Sequence, residues 1–357
     1  MKCCIDCFKD QELKAIIRSN STELGKCDYC KSKDVPLVNP HSFDDMFMQL
    51  SQSYESVENQ NIDGSHPHMF HEKIQKDWGL FSEQLIRKKN HQKLVQDILG
   101  DLLDEKDALF TDEVEQKVIT RNLENTHTLK KWDDFTEEIK RNNRYFLGEE
   151  IDLELLEDLF NHHSKNYRKG KRFYRARVSE EKEGYKIDKM GKPPSKQASS
   201  GRANPVGIPY LYVSTDRETV IHECRASFLD YLTIAEFKLK ERLKVVSLRR
   251  VENISPFAIG DGLDNYLKNK KYLKTLESEL SKPLKRQDQK LDYLPTQYIC
   301  EYIKSLGYDA IEYGSSLVEG GINLAIFQDE KLEPLKTEVH EVTSMDLQTE
   351  LINKQPS

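Results

Sequence analysis

Four cysteines near the N-terminus have the spacing of a metal site. Cys4 and Cys7 form one Cys-x-x-Cys pair and Cys27 and Cys30 a second, with 19 residues between them. Each pair can turn two thiolates toward one tetrahedral ion. Two pairs at this separation complete a closed Cys4 zinc site, which is structural rather than catalytic. Cys3, beside the first pair, is an alternative ligand. Far downstream, "YLYVSTDRETVIHE" (210–223) runs from a strand into a helix and carries two carboxylates, Glu218 and Glu223. Thr215 and Glu218 have capping-box spacing, which would use Glu218 at the helix start. Glu223 has no such local use. It lies on the second turn, at the edge of an apolar stripe of Val220, Ile221, Cys224 and Phe228, where a carboxylate either meets solvent or lines a cleft.

The elements that must hold these groups follow from periodicity. Residues 1–38 hold five of the seven cysteines, and "DQELKAIIRS" between the pairs reads as a short helix. From about 70 to 165 apolar residues recur at spacings of three and four, as in Ile74, Trp78, Phe81 and Leu85, which predicts helices. Near residue 170 the texture changes. "RFYRARV", "YLYVS", "YLTIAEFKL", "KVVSL", "DAIEY" and "INLAIF" read as strands. A long loop, 180–207, and helices at about 264–284 and over "PTQYICEYIKSLG" separate them. The reading is an α+β chain: a Cys4 zinc module (1–38), an all-α helical domain (39–165), a mixed β domain (166–340) and a polar tail (341–357). Cys224 and Cys300 fall on apolar helix faces and read as core.

The chain has 357 residues, 32% of them charged, with a net charge of −7. No basic surplus marks it for nucleic acid. No apolar run approaches the roughly 20 residues that span a bilayer. The start, "MKCCIDCFKD", lacks a secretory apolar core. A soluble, cytoplasmic protein is expected, where cysteines bind metal more readily than they form disulfides.

The C-terminal segments, taken in order, resemble the RES family over about residues 170–335: "FYRAR", "GRANPVGIPYLYVS", the acidic helix, "YLPTQYICEYIKSLGYDAIEYGSS" and "GGINLAIF". Residues 1–165 are similar, more loosely, to the zinc-containing HEPN/RES N-terminal regions. The resemblance implies an ADP-ribosyltransferase-like fold and NAD+ as substrate. It also implies a toxin or defence effector that cleaves the nicotinamide–ribose bond as a glycohydrolase or phosphorylase, or an ADP-ribosyltransferase acting on a macromolecule. A cognate antitoxin or regulatory protein and a homo-oligomer are left open as partners. Carried across by motif, the family's Arg falls on Arg175, its Gly-Arg-x-Asn on Gly201, Arg202 and Asn204, its tyrosine on Tyr212, its Glu on Glu223 and its Ser on Ser315, with Ser316 as the rival. Some members have an aromatic residue after the first Arg. Here it is Ala176, and Tyr174 or Tyr210 would have to replace the ring.

These residue types suit the reaction. Nicotinamide leaves as a neutral base, and a carboxylate can stabilise the oxocarbenium-like sugar left behind. Paired guanidinium donors suit a pyrophosphate. A second function class rests on Arg121, Asn122 and His127, which have the R-N-x4-H form of HEPN-type ribonucleases. Six residues apart on one helix, Arg121 and His127 lie about 240° apart round its axis. The tract His66, His68 and His71 reads as surface.

Overall fold

The computed structural model describes residues 1–57, 67–117, 132–147, 151–251, 254–282 and 290–345. The chain forms two compact units. One comprises residues 1–129 with 250–273, the other 130–249 with 274–357. This differs from a division in chain order: the helix Leu153–His162, expected in the helical domain, belongs to the second unit. Arg121, Asn122, His127 and His66 lie outside the described residues.

In the first unit, strands β1 (Cys3–Cys4), β2 (Glu23–Gly25) and β3 (Val35–Val38) make a small sheet of order β1-β3-β2 around the cysteines. The helix between the pairs, Gln11–Asn20, starts on an Asp10 cap and buries Leu13 and Ile17. The cysteine region is knitted into the helices that follow. Asn90 donates to the Tyr29 carbonyl (2.7 Å), Gln84 to the Cys30 carbonyl (2.9 Å), and the Tyr29 hydroxyl to Asp97 (2.6 Å).

Helices Phe70–Trp78, Glu83–Arg87 and His91–Leu99 follow the predicted periodicity. A second small sheet was not legible: β4 (Tyr54–Ser56), β5 (His68–Met69) and β6 (Glu113–Gln116), in order β4-β6-β5. Its residues are mostly polar or charged, yet Glu115 is fully buried, with Lys73 reaching it at 2.7 Å. Lys73 also meets Asp77 (3.0 Å), which accepts from the Tyr54 hydroxyl (2.9 Å). Buried charges persist only when paired in this way.

The second unit is built on an eight-stranded sheet of order β14-β10-β8-β9-β13-β12-β11-β7. Its strands are β7 (Ser164–Tyr167), β8 (Arg172–Ser179), β9 (Leu211–Ser214), β10 (Tyr231–Leu239), β11 (Leu243–Ser247), β12 (Ala310–Gly314), β13 (Ile322–Ile326) and β14 (Leu332–Glu341). β11 and β12 are parallel; the other pairs are antiparallel. The strands expected from sequence are all present. β14 was missed, because "LEPLKTEVHE" contains a proline and alternating charge. It is an edge strand, where both are tolerated. Of the expected tail, 341–357, only Glu341 belongs to this strand.

Alternation splits the sheet into two faces. Phe173, Leu211, Val213, Ala235, Phe237, Ala310, Leu324 and Ile326 pack into one core. Glu312, buried in β12, takes hydrogen bonds from Lys165 (2.9 Å), the Tyr167 hydroxyl (2.5 Å) and the Ser247 hydroxyl (2.6 Å). The Glu312→Ala change leaves two buried donors and the half-buried Lys165 without their acceptor. Chemical denaturation should show a loss of about 3 kcal/mol, while Ser247→Ala, which removes one donor, should cost about 1 kcal/mol.

Candidate active site

A cavity of about 440 Å³ opens on the second unit's sheet, within the size range of small-ligand sites. β9 contributes Tyr212 and Ser214, β13 Asn323 and β12 Tyr313. These are neighbours by register: Tyr313 lies opposite Asn323, and Asn323 opposite Ser214. Arg175, Gly201, Arg202, Glu223, Cys224 and Arg225 also line it, as do Leu280, Ser281 and Lys282 at the end of the helix Leu263–Ser281.

Glu223 is the last residue of the helix Arg217–Glu223. The helix starts differently from the expectation. Its cap is Asp216, which accepts from the Thr219 amide (2.8 Å) and hydroxyl (2.9 Å); Thr215 and Glu218 form no capping box, and Glu218 is exposed. Asp is the stronger N-cap of the two, though Thr is competent, and the helix starts one residue later than the capping-box spacing would put it. The helix is also shorter than expected. Ile221 and Phe228 are exposed and Cys224 is half-buried on the cavity, so of the apolar stripe only Val220 is buried; Cys300 is fully buried as expected.

Glu223 is exposed on the cavity, and its carboxylate is gripped at one oxygen. Oε1 accepts from the Ser315 hydroxyl (2.6 Å) and the Asn323 side-chain amide (2.7 Å). The Asn323 carbonyl in turn accepts from the Ser214 hydroxyl (2.5 Å), fixing the amide's orientation. Ser315 is itself held, its oxygen accepting from the Leu317 (3.1 Å) and Val318 (3.2 Å) amides. Oε2 accepts no hydrogen bond from a described residue. Ser316 is exposed and makes no such contact; of the two serines, Ser315 is the one that bonds Glu223.

Arg175 projects by alternation to the Phe173 face. It reaches the cavity where β8 and β9 share a single register pair, Tyr174–Ser214. It donates to the Gly191 carbonyl (3.0 Å). Burial, and next the neighbouring Arg177, lower its pKa to about 10, so it is a desolvated cation at neutral pH. Arg202 donates to the Glu279 carbonyl (3.1 Å) and lies over the Tyr293 ring. With Arg225 and Lys282 the cavity has four cationic side chains around one carboxylate.

Asn204 is buried and consumed structurally. Its amide nitrogen donates to the Ser199 (3.0 Å), Pro205 (3.1 Å) and Ile208 (3.0 Å) carbonyls, and its oxygen accepts from the Tyr212 hydroxyl (2.8 Å). It shapes the loop over the cavity rather than lining it. Burial chiefly pushes the Tyr212 hydroxyl above its ordinary pKa, so it remains a proton donor. Neither candidate for the missing ring lines the cavity. Tyr210 is buried against Phe327 with its hydroxyl on Glu301, and Tyr174 lies beneath Arg217. Tyr313 does line it, and with Asn323 and Ser214 it escaped the sequence reading. An asparagine inside "INLAIF" was the available signal, because a polar residue in an otherwise apolar strand needs a partner.

The four sulfurs of Cys4, Cys7, Cys27 and Cys30 lie within 4.8 Å of one another, all buried, in the first unit. Cys4–Cys30 and Cys7–Cys27 are 3.4 Å apart and Cys4–Cys7 4.0 Å. Cys3 turns away toward the Val38 carbonyl (3.7 Å) and is not part of the cluster.

Gly201 sits where no side chain fits. A Cβ there would lie 2.5 Å from Asn204 Oδ1 and 2.7 Å from the Tyr212 hydroxyl, whereas at Gly191 it would meet only Asp329, at 3.7 Å. Gly201→Ala should therefore break the Tyr212–Asn204 bond and lower unfolding free energy by about 1–3 kcal/mol. Gly191→Ala, measured beside it, should be nearly neutral.

Residues 172–348 match the RES domain and residues 20–152 match HEPN/RES N-terminal domain 1. No curated protein matches the chain. Among solved structures, a chain of the M. tuberculosis MbcT–MbcA toxin–antitoxin complex is 12% identical, with a TM-score of 0.31 over 54% of this chain and 93% of that one. No described helix is long and apolar enough to cross a membrane. The chain belongs to the RES domain family and carries a HEPN/RES N-terminal domain ahead of its RES domain.

Proposed function

We propose that the RES domain consumes NAD+ by cleaving its nicotinamide–ribose bond, as a glycohydrolase or phosphorylase, and that the protein acts as a toxin or defence effector. The observation that carries this reading is Glu223, held through one oxygen by Ser315 and Asn323 beside a cavity ringed with cations. Arg175 and Arg202 are placed for the pyrophosphate, since guanidinium groups pair with phosphate oxygens through fixed double donors. Glu223 then faces the sugar. As the C1′–N bond breaks, its electron pair goes to the pyridinium and nicotinamide leaves neutral. The negative charge of Glu223 stabilises the cationic sugar. Water or phosphate forms the new C1′–O bond, and with water the displaced proton passes to the carboxylate. Fixed donors hold the carboxylate before the ligand arrives, so little reorganisation is needed.

The test is nicotinamide release from NAD+ by the full-length protein, with and without phosphate. Release by the wild type and a loss of about 10²–10³-fold in Glu223→Gln are expected, the scale of losing one preorganised charge interaction. No release from the wild type under either condition would end the reading. Phosphate-dependent release identifies phosphorolysis. Radiolabel appearing on a macromolecule in place of free ADP-ribose would favour ADP-ribosyl transfer.

We further propose that Cys4, Cys7, Cys27 and Cys30 hold one structural zinc ion. Zinc–sulfur bonds of about 2.3 Å in a tetrahedron set the sulfurs about 3.8 Å apart, and the spacings of 3.4 to 4.0 Å bracket that value. The Tyr29 amide donates to Cys27 Sγ (3.4 Å), a bond that favours the thiolate. Metal analysis should find about one zinc per chain, as four-thiolate closure requires. Cys27→Ser should lose the metal and melt earlier, and Cys3→Ser should retain it. Zinc loss in the Cys3 variant instead would move the site.

A further inference from the structure

Tyr313 is about nine-tenths buried, 9% exposed, and lines the cavity. Its hydroxyl meets no hydrogen-bonding group among the described residues. Four other tyrosines of this unit use theirs: Tyr167 on Glu312, Tyr210 on Glu301, Tyr212 on Asn204 and Tyr308 on Asn161. The ring is buried, but the hydroxyl is not sealed off, so it opens on the cavity, where a ligand can supply the partner. The position of Tyr313 is fixed from both sides. Its neighbour Glu312 is locked into the opposite face, and Tyr313 itself lies directly across from Asn323. Asn323 holds the Glu223 carboxylate, so Tyr313 is one cross-strand spacing, about 5 Å, from the residue that aims the reacting group.

We propose that the Tyr313 hydroxyl is a direct ligand contact that bonds the ribose carrying nicotinamide; the assignment rests on the NAD+ reading above. The group facing Glu223 must be that sugar, because the carboxylate acts at its C1′ atom. A phenol donates one hydrogen bond and accepts others, which matches sugar hydroxyls. The phosphates have the arginines. Tyr313 is thus a contact for the reacting half of the ligand and not for its adenosine half.

The test compares Tyr313→Phe, which removes one oxygen and keeps the ring, with wild type in direct binding to ADP-ribose and to ADP. ADP lacks the second sugar. ADP-ribose affinity should fall about tenfold or more, the scale of one buried hydrogen bond, while ADP affinity and the ligand-free melting temperature stay unchanged. Tyr302→Phe, whose hydroxyl bonds the Leu153 carbonyl (2.7 Å), should bind both ligands as wild type does. Undiminished ADP-ribose affinity in Tyr313→Phe, or an equal loss for ADP, would overturn the assignment and leave the NAD+ reading standing. A wild type that binds neither NAD+ nor ADP-ribose would remove both.

Discussion

Strand register is the constraint on which this site depends. Tyr313, Asn323, Ser214 and Tyr174 lie opposite one another across β12, β13, β9 and β8, a row of four residues on one face of the sheet. Glu223 is attached to the middle of that row through Asn323. Because side chains alternate with a period of two, a slip of one residue would replace the row with its neighbours Glu312, Leu324 and Val213. Leu324 and Val213 belong to the core on the other face, and Glu312 is bound there by Lys165, Tyr167 and Ser247. A buried carboxylate is poor value as a source of stability, but it is an effective way to specify one register. The apolar core and the Glu312 cluster thus fix the position of a carboxylate on the opposite side of the sheet.

The arginines depend on a different device. The 180–207 connection is long and has little regular structure, and a loop of that kind must satisfy its own backbone. Polar side chains anchor it at several points. Gln297, on the helix Leu294–Ser305, donates to the Ser200 hydroxyl (2.8 Å) and to the Gly201 (2.7 Å) and Asn204 (3.0 Å) carbonyls. Asn204 binds three further carbonyls, and Lys192 pairs with Asp329 at 2.6 Å. Arg175 bonds the Gly191 carbonyl of this loop, and Arg202 is part of it. Both guanidinium groups are thus held in place by backbone carbonyls, of Gly191 and of Glu279.

What could be read from the sequence was what is encoded locally. The Cys-x-x-Cys pairs, the alternating strands and the amphipathic helices each declare themselves within a dozen residues, and the ordered motifs pointed to Arg175, Tyr212 and Glu223, which the fold brings to one cavity, and to Ser315, which bonds Glu223. Elements whose partners are distant did not declare themselves. β14 is a strand because β10 pairs with it along its length, and β6 holds a buried Glu115 because Lys73 lies on another element. Asn323 looked like one polar atom in a core strand until Ser214, from 109 positions earlier, and Glu223 came beside it. The Asp216 cap was misplaced for a smaller reason: two adjacent residues were both competent caps.

The placement of Glu223 at the end of its helix also bears on what it is for. A carboxylate in the last turn faces the negative end of the helix dipole, at a cost of about 0.3–1 kcal/mol. The chain continues through Cys224 into Arg225, which adopts a left-handed φ of 50° without being glycine, a further local cost. Neither feature helps the helix. Two hydrogen bonds donated to a charged oxygen contribute about 1.5–3 kcal/mol each, enough to offset both. The start of the helix is secured separately, where Arg217 pairs with Glu338 on β14 (2.5 Å) and approaches the buried Glu236 on β10 (3.6 Å). One end of the helix is tied to the edge of the sheet and the other to its centre. Between them they hold a carboxylate at the cavity where helix energetics alone would not put one, and the two donors that compensate it both bond the same oxygen.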